Sequence, residues 1–258
     1  MRIVFIGSTA FGLKCLEAIY DMCGMNVVGV VTNEQQFSIS YNSNGVKNVQ
    51  HACFEDYSQA NSIDCYTMRE KMTEHHLLKK MQDWDPDFIV VAGWYHMVPK
   101  IIRDIAPCGG LHASLLPHYS GGAPLVWAII NGEKKTGVSF FLLDEGVDSG
   151  LIIGQKEESI AFEDTIDTLY KKIETRGIEL LKEYLPQIAD GSIKYLEQNE
   201  SNRTVMPQRC PEDGEIDINM NAVDMYNFIR AQSSPYPGAF IKTSDGKKLI
   251  IEKARIEE

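Results

Sequence analysis

Residues 2–32 decide the fold: "RIVFIGST" (2–9), "AFGLKCLEAIYDM" (10–22) and, after a short gap, "MNVVGVVT" (25–32). The first segment is a short Ile/Val/Phe-rich run ending in Gly-Ser-Thr. The second has apolar residues at helical spacing, Leu13, Leu16 and Ile19, and the third is again a buried apolar run. A strand, a tight turn, a helix and a second buried strand make a β-helix-β unit, which joins parallel strands. The expected fold is therefore α/β, an open, mostly parallel Rossmann-like sheet with helices on both faces. Gly7 turns the strand into the helix, and Ser8 or Thr9 caps it. The turn is not a dinucleotide fingerprint: four non-glycine residues separate Gly7 from Gly12, and there is no Gly-Lys-Ser/Thr of a phosphate-binding loop.

Working outward, periodicity fades between residues 33 and 64, a polar stretch read as an excursion at the rim of the sheet. The pattern then predicts a helix over 69–84, a strand at 88–92 released by Gly93, a helix near 101–105, a strand at 110–113 and a helix at 125–130. Strands at 136–144 and 150–160 and a long helix over 165–188 follow. After residue 206 come one helix, "AVDMYNFIRAQ", and a hairpin turned at Ser244-Asp245-Gly246. The domain reading is 1–206 for the main domain and 207–258 for a small helix and hairpin module, which is too short for a substantial core of its own and is expected near a homodimer interface.

The chain has 258 residues, 36 acidic and 25 basic, for a net charge of −11. That balance disfavours a nucleic-acid backbone as the main partner. Six scattered cysteines form no CxxC or Cys/His cluster, so no metal is expected and the thiols are read as reduced. The apolar run at the N-terminus is too short for a signal-peptide core, and nothing approaches a membrane span, so a cytoplasmic location is expected. His75 and His76 in a charged helix, and His51 and His118 in polar loops, are read as solvated surface.

Three segments place polar residues after strand ends: "AGWYHMVP" (92–99), "LHASLLPHYSGGAP" (111–124) and "LLDEGVDSGLIIGQ" (142–155). Open parallel sheets bind ligands outside the carboxyl ends of their strands, so these segments can meet in one cleft. His112 and Asp148 fit a base whose tautomer a carboxylate fixes. The same residues also fit a histidine satisfied at the sheet edge and an aspartate capping the turn before Gly150.

"LHASLLPHYSGGAPLVWAIINGEKKTGVSFFLLDEGVDSGLIIGQ" (111–155) resembles the signature region of the 10-formyltetrahydrofolate-dependent formyltransferases, with its His-x-Ser-Leu-Leu-Pro, Gly-x-x-Pro, Trp-Ala-Ile-x-x-Gly-Glu and Asp-x-Gly-x-Ile elements. Residues 2–19 and 86–100 fit the same family more loosely. Residues 209–240 resemble the start of the carboxyl-terminal module of methionyl-tRNA and amino-sugar formyltransferases. By this resemblance the catalytic histidine falls on His112 and the aspartate on Asp148. The family's asparagine, which lies two residues before the histidine and steadies the formyl oxygen as it gains charge, falls on Gly110. A backbone N–H at Gly109-Gly110, or Tyr95 or His96, would then supply the donor; otherwise the site is slow, or a folate-binding or regulatory relic.

The resemblance implies that the folate lies against Trp94, Tyr95, His96, Met97, Leu115, Leu142 and Asp148. Ser114, Pro117, Gly121, Gly122 and Pro124 would form a substrate loop, with the two glycines letting backbone approach the ligand. It implies 10-formyltetrahydrofolate as cosubstrate, no metal and a primary amine as acceptor. A nucleotide-linked amino sugar ranks first as acceptor, ahead of methionyl-tRNA and glycinamide ribonucleotide, with formate-releasing hydrolysis of the same cosubstrate as a neighbouring activity.

Overall fold

The computed structural model describes residues 1–39 and 42–257. In chain order the elements are β1 (Arg2–Ile6), α1 (Ala10–Tyr20), β2 (Asn26–Asn33), β3 (Gln36–Ile39), β4 (Asn42–Lys47), α2 (Phe54–Ala60) and β5 (Cys65–Met68). Next come α3 (His75–Trp84), β6 (Phe88–Val91), α4 (Lys100–Arg103), β7 (Cys108–His112), β8 (Ser120–Gly121) and α5 (Pro124–Ile130). The remainder is β9 (Lys135–Leu142), β10 (Ile152–Ser159), α6 (Ile166–Asp190), β11 (Val205–Met206), α7 (Ala222–Ala231), β12 (Ala239–Lys242) and β13 (Lys248–Ile251).

The opening segment folds as its pattern dictates. All of β1 beyond Arg2 is buried, and α1 buries Gly12, Cys15, Leu16 and Ile19 along one stripe. Thr9 caps α1, its side chain accepting from the Gly12 N–H at 3.2 Å, a contact worth about 1 kcal/mol. The seven-stranded sheet has the order β10-β9-β7-β6-β1-β2-β5. β1 pairs in parallel with β2 and β6, β2 with β5, and β6 with β7. From β1 the chain builds outward to β2 and β5 on one side and to β6 and β7 on the other, so the topological switch lies between β1 and β6, where open sheets of this kind bind ligands. β9 runs antiparallel to β7, pairing His112 with Ser139 and Gly110 with Phe141.

The chain divides into two compact units, each assembled from separate segments. One comprises Met1–His112, Ser139–Gln155 and Gly177–Gln198. Part of its core is a cluster including Val4, Ile6, Val31, Met81, Trp84, Ile89 and Ile102. The other comprises Ala113–Val138, Lys156–Arg176 and Asn199–Glu258. Ile216, Phe228, Ile229 and Ala239 form an apolar cluster in it, flanked by Ile130 and Ile251. Its hairpin pairs Ala239 with Ile251 and turns through 244–246. Among the described residues no helix is long and apolar enough to cross a membrane, and none of the six cysteines is in a disulfide.

Two departures from the sequence pattern have local causes. The helix expected over 69–84 starts only at His75, because the Glu74 carboxylate accepts from the backbone N–H groups of Glu70 and Lys71 and holds them in a turn. The stretch 33–64 is ordered into the β3–β4 hairpin and α2, although Ser40 and Tyr41 of that stretch lie outside the described residues.

Candidate active site

β7 ends at His112, one strand away from the switch point, and β9 returns through Leu142 into the loop that carries Asp148. His112 Nδ1 lies 3.5 Å from Asp148 Oδ2, and the two side chains are only 11 % and 20 % exposed. The carboxylate on the Nδ1 side favours the tautomer with its proton there, which leaves Nε2 to accept one.

Asp148 is held in an unusual backbone conformation, φ +54°, in the left-handed region that L-residues other than Asn and Asp seldom adopt. The loop around it is closed at both ends. Leu142 N–H donates to Leu151 O at 2.8 Å. Asp144 Oδ1 accepts from Gly146 N–H at 2.9 Å and from Ser149 Oγ at 2.8 Å. Gly150 is required there, since a Cβ would stand 1.8 Å from Leu142 O.

Gly110 sits in mid-sheet, paired with Val91 on one side and Phe141 on the other. A Cβ at this position would stand 2.7 Å from Leu143 Cδ2 and 3.4 Å from Phe141 Cε1. At Gly109 a Cβ would meet the rings of Phe140 and Phe88 at 2.6 and 2.8 Å. This glycine pair therefore makes room for apolar side chains of the same chain, not for close approach to a substrate.

After β6, residues 94–97 run beside a polar cluster that the sequence did not reveal. Tyr95 Oη donates to Asn48 Oδ1 at 3.2 Å, and Asn48 Nδ2 donates to Ser8 O at 3.1 Å. His96 packs against Trp94 and Phe37, with ring centroids 5.3 and 5.1 Å apart. Its Nε2 is 3.4 Å from Asn33 Nδ2, and burial holds its imidazole below the usual histidine value. Trp94 Nε1 donates to Met72 Sδ, whereas Met97 is 61 % exposed. His51 is half-buried rather than on the solvated surface: its Nε2 lies 3.2 Å from Asn33 O, and its backbone forms an isolated antiparallel bridge with Thr9. His75, His76 and His118 are exposed as expected. No thiolate competes as nucleophile at the base of β7, because burial pushes the Cys108 thiol up to about 12.

Of the residues expected in the site, His112, Asp148, Trp94, Tyr95, His96, Met97 and Leu142 belong to the first unit. Ser114, Leu115, Pro117, Gly121, Gly122 and Pro124 belong to the second. There Ser114 is buried, with Oγ donating to His118 O at 2.6 Å, and Pro124 opens α5. At Gly121 and Gly122 the structure shows a close approach within the chain. A Cβ on Gly121 would lie 2.5 Å from Met206 O and one on Gly122 2.6 Å from Gln208 Cα, because β8 pairs with β11. The close approach these glycines permit is that of residues 206–208 of the same chain.

The family model described as Formyl transferase matches residues 1–185, and that described as Formyl transferase, C-terminal domain, matches 210–258. Among curated relatives, the methionyl-tRNA formyltransferase of Thermodesulfovibrio yellowstonii is 34 % identical over 260 residues, 99 % of this chain and 80 % of that protein. The fold is shared with a 4-N formyltransferase from Francisella tularensis, with a TM-score of 0.76 at 18 % identity over 99 % of this chain and 98 % of that one. It is shared also with HypX from Aquifex aeolicus in complex with tetrahydrofolic acid, with a TM-score of 0.66 at 18 % identity over 96 % of this chain and 36 % of that one.

Proposed function

The chain belongs to the formyl transferase family, and from that premise we propose that it moves a formyl group from 10-formyltetrahydrofolate to a primary amine on a nucleotide-linked amino sugar. The observation that carries the mechanism is the His112–Asp148 pair, a half-buried imidazole with a carboxylate on its Nδ1 side. His112 takes the proton that the acceptor amine must lose on attack, and it takes it at Nε2. Asp148 fixes the ring and balances the charge it acquires.

When bound, the folate supplies the formyl carbon as electrophile. The residues present fit such a ligand: Trp94 and His96 offer flat apolar surface, and their neighbours Asn33, Asn48 and Tyr95 offer neutral hydrogen-bonding groups. With Gly110 lacking a side chain and Tyr95 donating to Asn48, His96 is the better of the two expected substitutes for the family's asparagine. Burial favours its neutral ring, which carries one N–H. We read residues 1–206 as the catalytic domain and 207–258 as its module, in a cytoplasmic homodimer. Sedimentation showing only monomer at micromolar concentration would end the dimer reading.

For the acceptor, the net charge of −11 favours a small molecule over a polyanion. A second reading, methionyl-tRNA, rests on the name of the relative that is 34 % identical. The deciding experiment incubates the protein and 10-formyltetrahydrofolate with a panel of nucleotide-linked amino sugars and, separately, with methionyl-tRNA, and identifies formylated product by mass spectrometry. Formylation of a sugar nucleotide supports the first reading. Formylation of the tRNA alone replaces it with the second.

A further inference from the structure

We propose that Gln198 is a positioning residue for Asp148, an inference that rests on the reading of His112 and Asp148 as the catalytic pair. Gln198 lies after α6, 50 residues from Asp148, and both belong to the same compact unit. Its Nε2 donates to two backbone oxygens, Asp148 O at 2.9 Å and Gly150 O at 2.7 Å. Two carbonyls facing one amide atom require that atom to be nitrogen, so the amide orientation is unambiguous. Its Oε1 is buried and has no hydrogen-bond partner among the described residues, so the position is explained by the NH₂ group and not by the oxygen.

The first of those carbonyls belongs to the strained residue itself, and the second lies two residues further on. Asp148 has φ +54°, a conformation that persists only where its surroundings enforce it. Asp144 braces the loop at Gly146 and Ser149, and Gln198 reaches the Asp148 carbonyl from outside the loop. The segment carrying Gln198 is itself tied to the sheet, Leu196 and Ile152 exchanging hydrogen bonds at 2.8 and 2.9 Å just past the loop. The rigid sheet edge thus sets the backbone of Asp148, the backbone directs the carboxylate at His112 Nδ1, and the carboxylate sets the imidazole tautomer.

The test compares Gln198→Met, which keeps the volume and loses both donors, with Gln198→Lys, which retains donors, and uses Asp148→Asn as reference. Long-range ¹H–¹⁵N correlation of His112 reports the tautomer, and kcat and KM are measured with 10-formyltetrahydrofolate and the acceptor identified by the panel. Gln198→Met is expected to show a mixture of Nδ1–H and Nε2–H forms and a kcat lower by about tenfold, the weight of two ordinary hydrogen bonds, with KM within about twofold of wild type. Gln198→Lys should recover most of both. Wild-type tautomer and kcat in Gln198→Met, with Asp148→Asn impaired, would overturn the proposal while leaving the pair intact. Wild-type behaviour of Asp148→Asn would instead overturn the catalytic pair. Loss of cooperative melting in both Gln198 variants would assign the residue to the fold and equally end the proposal.

Discussion

Restoring the family's asparagine by Gly110→Asn tests what replaced it. A Cβ at residue 110 falls 2.7 Å from Leu143 Cδ2, about 1 Å inside an ordinary carbon contact. Leu143 cannot retreat as a unit, because its N–H donates to Cys108 O at 2.8 Å; only its side chain can rotate, toward the apolar cluster it packs on. Over-packing of this kind costs about 1–3 kcal/mol, which in a chain of this size lowers the melting temperature by roughly 2–10 °C. Leu143 also precedes Asp144, the brace of the Asp148 loop, so the displacement reaches the catalytic pair. Turnover is therefore expected not to rise. The double variant Gly110→Asn, Leu143→Ala removes the clash, and its loss of stability should be smaller than the sum of the two single losses. The assays are thermal melting and formyl transfer with the acceptor the panel identifies. A tenfold or larger gain in turnover for Gly110→Asn would refute the reasoning and show a site short of one donor, whose worth is about 10²–10³ in rate.

Asp148→Asn keeps the shape of the side chain but not its charge; kcat is expected to fall by about 10²–10⁴ with little change in melting, and kinetics equal to wild type would count against its role. In the second unit, burial works against the charge of Asp164, but hydrogen bonds from Lys172, the Ala161 N–H and Thr168 outweigh it and hold its carboxyl below the usual value. A depressed folded-state value gives stability that is present above the unfolded value of about 3.9 and lost as pH falls through the folded one. Asp164→Asn should accordingly cost roughly 1–3 kcal/mol at pH 7, with the gap to wild type narrowing as pH falls below the unfolded value; a gap independent of pH in chemical denaturation would contradict this.

The parallel core was legible because strands buried on both faces read as continuous apolar runs, as Phe88–Val91 does, and because Gly7 and Thr9 mark a turn and a cap by local chemistry alone. His112 and Asp148 stand at or after strand ends, which left a catalytic pair and a structural role both open; the resemblance of residues 111–155 to the formyltransferases singled them out. Gln198, Asn33 and Asn48 were not legible. Each acts by an amide that reaches the backbone or side chain of a residue distant in sequence, and a lone amide in a polar stretch carries no periodicity and no spacing. The glycines at 109–110 and 121–122 were seen as permissive positions, but what approaches them is set by pairing of β7 with β9 and of β8 with β11, contacts that arise only in the folded chain.

The central claim is that His112 removes the acceptor's proton, and single-turnover formyl transfer by His112→Ala tests it most directly, with 10-formyltetrahydrofolate saturating and folding checked by thermal melting. Losing a positioned base is expected to slow transfer by about 10²–10⁴, with cooperative melting retained, since the residue stands at the end of a strand. A folded variant that forms product at most of the wild-type rate would contradict the account.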